Sequence, residues 1–97
     1  MANTFVPQDA SGTITTGGTA QTALAAKNVY SYLFVQNPRA ETETLRVDFG
    51  RTAVVDDAWE LGPGDAVEFT SATGIPSGIV SVVAATTGHK FILKYAV

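Results

Sequence analysis

Tyr30-Ser31-Tyr32-Leu33-Phe34-Val35-Gln36-Asn37-Pro38 is the densest aliphatic and aromatic run in this chain, and it decides how the rest is read. Successive side chains of an extended strand point to opposite faces. Val29, Leu33 and Val35 therefore share one face, and Tyr30, Tyr32 and Phe34 share the other. Asn37-Pro38 ends the run, because proline has no N–H for a ladder and restricts the residue before it. A strand apolar on both faces is either central in a packed domain or covered by another chain. The ring-bearing face is the informative one, since any core accounts for Leu33 and Val35.

Moving outward, the flanking segments read as strands and turns. Leu45, Val47 and Phe49 alternate with Thr44, Arg46 and Asp48, the period of two of a half-buried strand. Thr52 to Val55 extends or restarts that strand before a turn at Asp56-Asp57. Trp59 and Leu61 share a direction, and Gly62-Pro63-Gly64-Asp65 marks a sharp turn. Val67 and Phe69 alternate inward. The β-branched run from Ile79 to Ala85 predicts a second central strand. Phe91, Leu93 and Tyr95 alternate with Lys90, Ile92 and Lys94 in a final one. Toward the start, Ser11 to Thr16 is a Thr-rich strand candidate broken by Gly17-Gly18. The Ala-rich segment from Thr19 to Lys27 is too short to stand as a helix and reads as an extended edge, with one helical turn as the alternative. Residues 1–11, polar and punctuated by Pro7, read as an arm carrying Phe5 and Val6. The prediction is an all-β chain: an antiparallel β-sandwich or squat jelly-roll-like barrel of seven to nine short strands, with a single domain over residues 12–97.

The chain has 97 residues, which fits one domain. Charged residues make up 15% against 45% hydrophobic, thin for a surface normally about one quarter charged. Apolar area left uncovered in this way favours a partner or copies of the chain itself. The net charge is -3 and the six basic residues are scattered, so no basic stripe for nucleic acid is present. There are no cysteines, which removes disulfide and thiolate chemistry. Met1-Ala2-Asn3-Thr4 lacks a basic and apolar signal pattern, and no apolar run reaches the roughly 20 residues of a membrane span.

No residue constellation points to catalysis, a cofactor or a metal. His89, the single histidine, follows Gly88 at a predicted turn and reads as a solvated loop residue. Asp56-Asp57 with Glu60 or Asp65 lacks the alternating spacing of a calcium loop and reads as a solvated turn. Gly62-Pro63-Gly64 has neither a following helix nor a Lys-Ser/Thr pair, so it is not a phosphate loop. Trp59, with Tyr30 and Tyr32, offers a stacking platform for sugar rings, weighed against the plainer expectation that Trp59 packs in the core.

The order of these cues resembles that of small β-structured virion proteins of tailed bacteriophages, in particular capsid decoration (cement) or head-fibre-base proteins. The matching stretches are Tyr32 to Pro38, Leu45 to Gly50, Leu61 to Gly64, Ile75 to Val82 and Ala84 to Gly88, spread over residues 28–91. The resemblance implies an enzymatically inert protein on the capsid surface, assembled in the host bacterial cytoplasm. It would bind the major capsid protein, commonly as a homotrimer, without contacting nucleic acid or membrane. Phe5, Val6, Leu24, Tyr30, Tyr32 and Phe34 are the expected contact residues. The alternative is a carbohydrate- or receptor-binding module of a phage fibre or tail, with Trp59 stacking on the ligand.

Overall fold

The computed structural model describes residues 7–26 and 31–97, and these form an all-β sandwich of two antiparallel sheets. The strands are β1 (Gln8–Asp9), β2 (Gly12–Thr13), β3 (Gln21–Leu24), β4 (Tyr32–Gln36), β5 (Leu45–Phe49), β6 (Trp59–Leu61), β7 (Ala66–Thr70), β8 (Val80–Val83) and β9 (Lys90–Ala96). The first sheet runs β1-β9-β4-β7, with β2 also on β9; the second runs β3-β8-β5-β6. The pairs nest: β1 and β2 with β9, β3 with β8, β4 with β7, β5 with β6. That is one long hairpin rolled up, the order of a jelly roll.

Alternation places the core as the sequence predicts. Leu33 and Val35 of β4, Val47 of β5, Val82 of β8 and Leu93 of β9 are fully buried between the sheets. Each such side chain contributes about 1.5–3 kcal/mol on burial. The two strands expected to be central are so, β4 between β9 and β7 and β8 between β3 and β5, and β9 and β5 are flanked on both sides as well. The Ala-rich segment supplies β3, an edge strand as read. Within the stretch read as an arm, Gln8–Asp9 pairs with β9, as Gly12–Thr13 does just after it, and residues 1–6 lie outside the described residues. Asp9 and Ser11 lock that entry through a side-chain bond, and Ser11 Oγ accepts from Leu93 N at 2.9 Å.

The connection between β5 and β6, residues 50–58, folds back as a strap over the outer face of its own sheet. Ala53 N donates to Ser81 Oγ at 3.0 Å and Gly50 N to the Ile79 carbonyl at 2.7 Å. Arg51 Nε binds Asp48 Oδ2 and Arg51 Nη2 binds Asp57 Oδ2, each at 2.6 Å. The strap explains why the polar face of β5 is not solvated as its alternation suggested: Asp48 and Ser81 are buried beneath it, beside Val83. Gly50 and Gly78 make the crossing possible. Both take positive φ, and a Cβ on Gly78 would lie 2.8 Å from the Gly50 Cα.

Candidate interaction surfaces

The predicted contact residues part company in the fold. Phe5, Val6 and Tyr30 lie outside the described residues. Leu24, expected at an interface, instead faces inward from β3 and is buried in the core. Its Ala neighbours drew attention to the segment, but a register shift between Thr22 and Leu24 breaks the alternation, so that Leu24 pairs with Val80 and turns toward the other sheet while Thr22 stays exposed. Tyr32 and Phe34 lie half-buried on the outer face of the first sheet, opposite in direction to Leu33 and Val35. The Tyr32 hydroxyl donates to Glu68 Oε2 at 2.6 Å. That bond, with the carboxylate's charge, pushes the phenol up to about 12, since ionising it would set two anions side by side.

Trp59 is 49% exposed, neither a fully packed core residue nor a free platform. It sits on β6 at an edge of the second sheet, where Phe49 and Phe69 meet it edge-to-face with centroids 5.6 and 5.9 Å away. Phe49 and Phe69 also meet edge-to-face at 5.2 Å. Because Phe69 belongs to β7 of the first sheet, the three rings close the sandwich along one side. Such pairs contribute about 0.5–1.5 kcal/mol each beyond burial.

His89 overturns its sequence reading. It is 3% exposed, not a solvated loop residue. Asn37, itself fully buried, donates from Nδ2 to the carbonyls of Glu43 and Leu61, each at 2.8 Å. Its Oδ1 is thereby turned toward His89 Nε2, 2.8 Å away, which assigns the imidazole proton to Nε2. His89 Nδ1 lies 3.8 Å from Glu41 Oε1, and Glu41 Oε2 accepts from Lys90 N at 3.1 Å. The group ties the β4–β5 loop to β6 and to the start of β9. With the ring enclosed, its role is to join loops.

The acidic turn residues are engaged in the same structural way. Asp57 is held by Arg51, Glu60 by Arg46 at 2.9 Å, and Asp65 Oδ2 accepts from Gly62 N at 3.0 Å. Among the described residues, no group of three or more His, Cys, Asp or Glu is placed to hold a metal ion, and no helix is long and apolar enough to cross a membrane.

The surface that sequence reasoning missed is the strap. Val54 and Val55 are 54% and 46% exposed, although the strap carrying them is pinned at several points. Val54 closes the following turn, its carbonyl accepting from Asp57 N and Ala58 N. Val55 lines an apolar hollow of about 140 Å³ with Gly18, Val83, Ala84 and Ala85, and Arg46 at its margin. The only sequence signal was a valine pair directly before two aspartates, which reads equally as the end of a strand. No protein-family model, curated protein or solved structure matches this chain.

Proposed function

We propose that this chain is a structural protein that docks on the outer surface of an assembled protein shell, in the manner of a phage capsid decoration protein. The observation that carries the reading is the strap: a rigid loop that holds Val54 and Val55 out in solvent beside an apolar hollow. Loops that expose adjacent valines lose hydrophobic stabilisation, and this one is fixed by Arg51 between two carboxylates. A contact of that kind loses less conformational freedom on binding than one made by a free loop. Covering both valines contributes about 2 kcal/mol per site. One such site is weak, and shells present many copies of it. A protein that binds only the assembled shell stabilises it by mass action, through area and shape. The thinly charged composition and the resemblance to virion proteins point the same way. Binding of the major capsid protein and residence on the virion surface belong to this proposal.

The test is co-sedimentation of the purified chain with purified capsids of its cognate phage. Wild type is expected to saturate. Val54→Asp and Val55→Asp together are expected to lower affinity at least tenfold while leaving the thermal unfolding midpoint nearly unchanged. Equal binding by the variant would overturn the assignment to the strap, and absence of binding by wild type would overturn the function.

The exposed half of Trp59 favours the second reading, a carbohydrate-binding module. Its ring neighbours, Phe49 and Phe69, offer no hydrogen-bonding groups to a sugar. That reading predicts saturable glycan binding that disappears in Trp59→Ala.

A further inference from the structure

The outer face of the first sheet is patterned in charge about one residue. Phe34 lies opposite Glu68 of β7 and, on its other side, opposite Lys94 of β9, so the row across the sheet reads Glu68, Phe34, Lys94, with Asp9 of β1 at its edge beyond Lys94. Strands about 4.8 Å apart set the backbone positions of Glu68 and Lys94 at similar distances on either side of Phe34. Tyr32 and Ile92, both half-buried, continue the apolar centre on the same face. Glu68 is held over the sheet by the Tyr32 hydroxyl at 2.6 Å, and Lys94 is steadied by Asp9 at 3.1 Å. No strand among the described residues lies over this face.

We propose that a second copy of this chain packs on that face about a twofold axis running along β4 in the plane of contact. Half a turn about this axis keeps each residue's place along the strand and exchanges the two sides of the row. It lays Phe34 against Phe34 and sets Glu68 of each copy opposite Lys94 of the other. An isologous interface requires a patch complementary to itself, and charge that reverses sign across its centre meets that requirement. The other in-plane twofold, running across the strands, sets Glu68 against Glu68 and Lys94 against Lys94. The charges therefore select the first axis and make the two β4 strands run parallel across the interface. Packed sheets cross at about 30°, which displaces each opposed pair by roughly 2.5 Å, within the reach of a lysine. The strap lies on the opposite sheet, so this inference and shell docking stand or fall separately.

The experiment is sedimentation equilibrium of the full chain, alone and in variants whose fold is checked by circular dichroism. Wild type is expected to be a dimer whose dissociation constant rises several-fold with added salt, as for exposed charge pairs. Glu68→Lys alone and Lys94→Glu alone are each expected to weaken the dimer at least about tenfold, because both symmetric pairs become repulsive. Mixing these two single variants restores a heterodimer, since each then meets the opposite charge. The double variant dimerises within a few-fold of wild type. Recovery in the mixture shows that both variants are folded and competent, so the result does not depend on either alone. A monomeric or trimeric wild type, or a mixture that stays dissociated, would overturn the proposal.

Discussion

Replacing Asn37 by Ala tests the buried polar junction that holds one end of the sandwich together. The Asn37 side chain makes three hydrogen bonds, two donated to carbonyls and one accepted from His89, all at 2.8 Å. Its truncation strands the Leu61 carbonyl and the His89 Nε2–H in the interior. Each group left unpaired there costs about 1–3 kcal/mol. The Glu43 carbonyl is part-buried and rehydrates at about 0.5–1 kcal/mol. The sum is about 2.5–7 kcal/mol, against a total stability of about 5–15 kcal/mol for a domain of this size. Urea unfolding followed by Trp59 fluorescence is the assay. At a slope of about 1.5 kcal/mol/M, a loss of 3 kcal/mol moves the midpoint down by about 2 M. Asn37→Asp keeps the acceptor for His89 and loses both donors, so it is expected to be destabilised as well. His89→Ala, which leaves the two carbonyl bonds in place, is expected to lose less than Asn37→Ala. An Asn37→Ala midpoint within about 0.5 M of wild type would refute the reasoning, because it would mean that water replaces all three bonds without cost.

Three further outcomes follow from the geometry. Tyr32, raised from 10 to about 12 by its bond to Glu68, is expected to ionise near pH 12 in an ultraviolet titration. Because the folded value exceeds the unfolded one, the stabilisation is complete below pH 10 and is lost as pH rises through 12. Glu68→Gln lowers the Tyr32 midpoint, and an unchanged titration curve would count against the contact. Arg51→Ala leaves the buried Asp48 carboxylate without its cation and frees the strap. A lower midpoint in chemical denaturation, with faster proteolysis at residues 51–57, is expected. Gly78→Ala forces a Cβ against the Gly50 backbone at a positive φ of 96°, so destabilisation of about 2–4 kcal/mol is expected, while Gly74→Ala, with open space around it, loses less.

The features legible in the sequence were those with local period. Alternation in Leu45 to Phe49 and in Phe91 to Tyr95 marked their inward faces. The two-sided apolar content of Leu33 to Val35 and of Val80 to Val83 marked the central strands. Glycine and proline marked the turns. What escaped depends on residues far apart in the chain. His89 is buried because Asn37, on the β4–β5 side, offers its amide oxygen, and no local pattern announces that pairing. Asp48 looked solvent-facing because strand parity says nothing of a loop folding back over the sheet. Leu24 looked like an interface residue because small neighbours were read as contact surface; strict alternation would set it on the side of exposed Thr22, and no local pattern announces the bulge that turns it inward. Trp59 is divided between the two expectations because it begins an edge strand: its ring meets Phe49 and Phe69 while half of it stays outside.

The central claim is that this domain acts by surface attachment to a shell, through the strap. The most direct measurement is a binding isotherm of the chain on purified cognate capsids, with Val54→Asp/Val55→Asp as the paired variant. The account predicts saturable binding by wild type that the variant loses at unchanged stability. Failure of wild type to bind capsids, together with glycan binding abolished in Trp59→Ala, would contradict it.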